Sequence, residues 1–124
     1  MSQQPKISFC TTCMGRLEHL KQTLPQNMKD AQDYPNAQFV VLNYGTNGQT
    51  HEIEGWIRDN FQKDIESGRL KYVAYPQAKH FHHAHAKNMA HRMADGDILC
   101  NVDADQFIGK GFAQLLIEEF DEAQ

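Results

Sequence analysis

The segment Gln38-Phe39-Val40-Val41-Leu42-Asn43 is a continuous apolar run, the composition of a strand covered on both faces. A chain that builds such a strand must also supply structure to lie above and below it. Three further stretches read as strands: Ile7-Ser8-Phe9-Cys10, the segment from Leu70 to Tyr75 closed by Pro76, and the segment from Asp97 to Val102. Between them the apolar spacing turns helical. Leu17, Leu20, Leu24 and Met28 mark one helix, in which Pro25 should force a break after about two turns. Ile53, Trp56, Ile57, Phe61 and Ile65 mark a second, stopped by Gly68. Ala86, Met89, Ala90, Met93 and Ala94 form the stripe of a third, running from His82 to Ala94. Phe112, Leu115, Leu116 and Phe120 give a last amphipathic helix.

Strand and helix in repeated alternation predict an α/β fold. The expected form is a three-layer α/β/α sandwich around a mostly parallel sheet with right-handed crossovers. The 124 residues make one domain, 1–124, with a single core. In such sheets ligands sit beyond the carboxyl ends of the strands. That rule selects three segments: Thr11 to Gly15, Asn43 to Thr50, and Asp103 to Asp105.

The acidic segment Asn101-Val102-Asp103-Ala104-Asp105 follows the fourth strand. On an extended backbone, Asp103 and Asp105 point the same way and can approach one cation. Hard carboxylate oxygens suit Mn²⁺ or Mg²⁺, which commonly bridge to substrate phosphates. The competing reading is a solvated acidic turn. Lys87 and Asn88, near a helix start, could address a diphosphate through charge and amide donors, or could be a plain solvated face.

Two clusters point to other chemistry. His80, His82, His83, His85 and His91 could supply imidazoles to a metal, although their spacing fits no closed structural zinc pattern. Cys10-Thr11-Thr12-Cys13 is a Cys-x-x-Cys between a strand and a helix, where a thiol redox motif would sit. The alternative for Cys10 is a small buried hydrophobe.

In order along the chain come Thr-Thr-Cys-Met-Gly-Arg after the first strand, Asn43-Tyr44-Gly45-Thr46-Asn47-Gly48, Ala86-Lys87-Asn88, Gly96-Asp97-Ile98 and Asp103-Ala104-Asp105. This series resembles the nucleotide-sugar-binding front half of inverting family 2 glycosyltransferases, which have the GT-A fold. The resemblance implies that Thr11, Thr12 and the loop to Arg16 border the base and ribose. It implies that Asn43, Tyr44 and Gly45 begin the loop that contacts the nucleoside, and that Lys87 and Asn88 lie near the ribose and diphosphate. Asp103 and Asp105 match the family's Asp-x-Asp motif, with Asp103 also facing the ribose, and both hold Mn²⁺ or Mg²⁺. The implied ligand is a nucleoside-diphosphate sugar, a UDP-sugar first, and the implied reaction is hexosyl transfer to an unidentified acceptor.

Two features depart from the family. Asn43, Tyr44 and Asn47 stand where acids are usual, and asparagine is a mixed donor and acceptor. In the family an acceptor-binding half that supplies a catalytic carboxylate follows the acidic motif, and none is read in these 124 residues, so a truncated GT-A pattern is expected. The acids Glu118, Glu119, Asp121 and Glu122 read as a solvated helix face, and no catalytic base is identified. A donor-binding module without turnover is therefore a second reading, and a Cys-x-x-Cys redox protein a third. A net charge of −4 argues against a nucleic-acid partner. No run is apolar enough for a membrane span, and the start lacks a signal core, so a cytoplasmic location is expected. A sheet cut short would expose an apolar edge, which favours a homo-oligomer.

Overall fold

The computed structural model describes residues 5–45, 50–75 and 83–123. In these residues β1 (Ile7–Cys13), α1 (Leu17–Asp30), β2 (Ala37–Tyr44), α2 (Thr50–Ser67), β3 (Leu70–Tyr75), α3 (His83–Met93), β4 (Ile98–Asn101) and α4 (Phe112–Ala123) follow in strict alternation. The sheet has the order β3-β2-β1-β4, and every pairing is parallel. The chain is thus the α/β sandwich its periodicity predicts. As the apolar run requires, every residue of β2 is buried.

Alternation along the strands divides the core in two. Ile7, Phe9 and Cys13 of β1 join Phe39 and Val41 of β2 in the larger cluster, closed by Leu20 and Leu24 of α1, Ile53 and Ile57 of α2, and Ile117 of α4. Cys10, Val40, Leu42 and Tyr44 face the opposite way and pack on Ala86 and Ala90 of α3. The alanines let α3 approach the sheet closely.

Several elements differ from the expectation. Helix α1 continues unbroken through Pro25 to Asp30. Pro25 and Lys21 both lie on the exposed face, so the carbonyl that proline leaves unbonded can be hydrated. Leu24 and Met28 meanwhile anchor the last turns in the core. Strand β1 runs three residues further than its apolar core, to Cys13, because β2 offers pairing partners as far as Asn43. Leu115 of α4, expected in the apolar stripe, is 50% exposed, and the buried face is carried by Ala113 and Ile117. Leu99 and Phe107 are also exposed, and among the described residues β4 pairs only with β1.

The loop from α3 to β4 is tied to the amino-terminal end of the sheet. Ser8 Oγ donates to Gln38 Oε1 at 2.8 Å and accepts the Gly96 N–H at 2.9 Å. Gln38 Nε2 donates to Asp95 Oδ2 at 3.0 Å, and Asp97 accepts the Lys6 N–H at 3.0 Å. A Cβ on Gly96 would lie 2.5 Å from Ser8 Oγ and 2.7 Å from Ser8 N.

Candidate functional site

At the opposite, carboxyl-terminal end of the sheet a cleft of about 400 Å³ is lined by Thr12, Met14, Arg16, Lys87, Asp103, Ala104 and Asp105. Three elements deliver these residues. Thr12 and Met14 come from the end of β1 and the turn after it, Lys87 from α3, and the acids from the segment after β4. Arg16 occupies the N-cap position of α1 in the left-handed region, at φ 60° and ψ 33°. It is the one non-glycine residue with positive φ among those described. A non-glycine in this region carries a strain of about 1 kcal/mol. Here that conformation turns the chain from β1 into α1 and places Arg16 on the cleft wall.

The acidic segment is not extended, as its alternation predicts, but turned. Val102 N–H makes the last rung to Cys10 O at 2.9 Å. The chain then closes on itself: Gln106 N–H donates to Asp103 O at 2.9 Å, and Gln106 Oε1 accepts the Asp103 N–H at 2.8 Å. Val102 and Ala104 are buried while Asp103 and Asp105 are exposed, so both acids still border the same cleft. Two hard carboxylates suit Mg²⁺ or Mn²⁺ when phosphate oxygens and water complete the shell. Among the described residues no group of three or more His, Cys, Asp or Glu could hold a metal by itself. Two carboxylates are too few to close a protein cage, so a cation here would need further oxygen ligands from outside the chain. Arg16 and Lys87 add two cations to the same walls, where a diphosphate would place its charge.

The other candidates do not line the cleft. Thr11 is buried, on the opposite face of β1 from Thr12. Asn43 is fully buried, and its Nδ2 donates to Tyr72 Oη at 3.0 Å. Tyr44 is buried toward α3, with its hydroxyl 2.8 Å from His85 Nδ1 and its ring against Tyr75. Gly45 has φ 107°, and a Cβ there would meet Met14 Cε at 2.7 Å. Asn88 is exposed on α3 and does not line the cleft. Thr46, Asn47, Gly48, His80 and His82 fall outside the described residues, as does the His83 side chain. His85 bonds Tyr44, and His91 Nε2 lies 3.0 Å from Asn101 Oδ1.

The cysteine pair is taken apart by β1. Cys10 packs in the cluster under α3, and Cys13 in the cluster on the other side of the sheet. Three residues of strand separate their Cα atoms by about 10 Å, beyond the reach of a disulfide. Burial pushes both thiols up to about 12, with Cys100 adding to the effect at Cys10. This placement does not support thiol redox chemistry.

No protein-family model and no curated protein sequence matches the chain. Solved structures do match. The mannosyltransferase PcManGT from Pyrobaculum calidifontis, in complex with GDP-Man and Mn²⁺, superposes with a TM-score of 0.65 at 21% identity, over 86% of this chain and 29% of its own. TarS 1-349 from S. aureus, in complex with UDP-GlcNAc, superposes with a TM-score of 0.71 at 20% identity, over 94% of this chain and 31% of its own. The fold is of the GT-A type. Identities this low establish the fold alone. The chain spans less than a third of either neighbour, and within it the cleft lies at the strand ends where an α/β sheet presents its ligand.

Proposed function

We propose that the cleft binds a nucleoside-diphosphate sugar together with Mn²⁺ or Mg²⁺, as the donor half of a glycosyltransferase. The observation that carries this reading is the meeting of Thr12, Arg16, Lys87, Asp103 and Asp105 around one opening. Asp103 and Asp105 would hold the cation. When bound, it would neutralise charge on the diphosphate leaving group. Arg16 and Lys87 bind phosphate oxygens directly, and Thr12 offers a hydroxyl to the nucleoside. Thr11, Asn43, Tyr44, Gly45 and Asn88 do not line the cleft and would act on the nucleotide only through the residues that do.

The structural neighbours were solved with GDP-Man, UDP-GlcNAc and UDP. A UDP-sugar is the first donor to test here, with GDP-sugars as the control. Transfer also requires a carboxylate to deprotonate the acceptor, supplied by a segment or subunit that completes the site. Without it the chain is a donor-binding module. A cytoplasmic location and a homo-oligomer are separate parts of the proposal, and the exposed Leu99 and Phe107 are apolar surface that a second copy would cover.

The test is a thermal-shift and titration panel of nucleoside diphosphates with Mn²⁺ and with chelator. A ligand that binds only the native state raises Tm by mass action. Stabilisation by UDP or GDP that chelation removes, and that Asp103→Ala and Asp105→Ala each abolish with Tm unchanged, is the expected result. Equal nucleotide binding in both variants and the wild type would sink the site assignment. Donor hydrolysis that stops on chelation separates an enzyme from a binding module.

A further inference from the structure

Helix α1 buries six residues in its core-facing stripe: Leu17, Leu20, Thr23, Leu24, Asn27 and Met28. Four are apolar, as a core face requires. Thr23 and Asn27 are polar and only 3% and 4% exposed. A buried polar group is costly unless it is hydrogen-bonded, so its partners explain why it is there. Valine and leucine would fill the same space without that cost.

The partners converge on the acidic turn. Thr23 has one hydroxyl proton and two nearby carbonyls: His19 O at 3.1 Å in its own helix and Ala104 O at 2.6 Å. The shorter bond goes to the residue between the two acids. Asn27 uses both ends of its amide, donating from Nδ2 to Gln106 O at 3.0 Å and accepting the Ile108 N–H at Oδ1 at 2.9 Å. Gln106, held in this way, is the residue whose side chain accepts the Asp103 N–H. The backbone is therefore pinned between the acids and again just after them. The same helix begins at Arg16 on the cleft wall. Thr23 lies two turns further on, about 10 Å along the axis.

We propose that Thr23 and Asn27 are positioning residues. In this role α1 fixes the acidic turn at a set distance from Arg16, so that the cation and the diphosphate are received together. The inference rests on the nucleotide reading above and adds residues outside the cleft to it. It requires no contact between either side chain and ligand. Outer groups that orient metal-holding residues are worth ~10-fold to ~100-fold in affinity when removed.

The experiment compares Thr23→Val, Asn27→Leu and Thr23→Ser with the wild type, using whichever of UDP and GDP the wild type binds. Affinity is measured with Mn²⁺ and with chelator, and amide exchange of residues 103–108 is followed in the ligand-free protein. In Thr23→Val and Asn27→Leu the Mn²⁺-dependent affinity should fall ~10-fold or more, while affinity in chelator holds. Exchange at 103–108 should quicken while β1 and β2 stay protected, and Thr23→Ser should behave as wild type. A purely packing role would leave the Mn²⁺-dependent gain unchanged in both variants, which overturns the proposal while wild-type binding stands. A wild type that shows no Mn²⁺-dependent binding would instead remove the nucleotide reading and this inference with it, and Asp103→Ala would then be silent as well.

Discussion

The two ends of β1 are built on opposite principles. At its amino-terminal end, Ser8, Gln38, Asp95, Gly96 and Asp97 form a closed set in which donors meet acceptors across three chain segments. At its carboxyl-terminal end the groups point outward: two exposed acids, Arg16 in a left-handed conformation, and Lys87 across the opening. One end satisfies its polar groups internally and the other keeps them for something else. Residues at the closed end should govern stability with no effect on ligand, and residues at the open end the reverse.

The sharpest way to break this contrast is Gly96→Val. Its Cβ would fall 2.5 Å from Ser8 Oγ, 2.7 Å from Ser8 N and 2.9 Å from Lys6 O. Two of those neighbours are backbone and cannot swing aside. Overpacking of this kind costs about 3 kcal/mol, which lowers Tm by about 10 °C in a domain of this size. Thermal unfolding checks the loss, and nucleotide affinity of the folded protein at low temperature should stay at the wild-type value. A lost affinity would show that the two ends are coupled.

Next in size is Ser8→Ala. It removes one partner each from Gly96 N–H and Gln38 Oε1 in a buried setting, at a cost of about 1–2 kcal/mol. Denaturant unfolding should show the shift in midpoint with the slope unchanged. Stability equal to wild type would mean that water replaces the hydroxyl and that the closed end is less dry than its burial suggests.

The contrast also separates what the sequence could and could not reveal. Periodicity carried the architecture, because a fully buried strand such as β2 and helices with apolar stripes leave a signal in every residue. It could not place turns. The acids at 103 and 105 were readable as a pair, but their turn is set by Gln106 and by Thr23 and Asn27, some eighty residues away in sequence. Thr23 and Asn27 did leave a trace, as polar residues at apolar spacing in α1. The resemblance itself mixes the two ends: Gly96-Asp97-Ile98 belongs to the closed base, and Asp103-Ala104-Asp105 to the open cleft. Pro25 misled because proline's effect depends on whether its freed carbonyl faces solvent, which a single sequence does not show.

Arg16→Gly sharpens the comparison at the open end. Glycine adopts the left-handed region without the Cβ penalty, so relief of the strain should raise stability by up to about 1 kcal/mol, less the extra entropy of an unfolded glycine. The same change removes a cation from the cleft, so nucleotide affinity should fall while Tm rises. Opposite signs in the two measurements are the mark of a residue held for function. A fall in both would mean that the arginine side chain holds the helix start in place, and that the open end contributes to the fold after all.

The smallest effect should come from Asp95→Asn, and its pH dependence carries the information. The amide of Gln38 and then the ammonium of Lys71 hold the Asp95 carboxyl below its ordinary value. A carboxyl depressed in the folded state adds stability above its unfolded pKa, and that contribution disappears as pH falls through the folded value. The wild type should therefore exceed the variant by a constant, small margin at neutral pH, since the group is exposed and screened. The margin should shrink below about pH 4, where an unfolded aspartate begins to bind its proton. Asparagine can still accept from Gln38, so what is lost is chiefly the attraction of Lys71, and added salt should shrink the margin in the same way. A margin that persists at low pH and high salt would trace the link to the neutral hydrogen bond, and the closed end would then hold by hydrogen bonding alone.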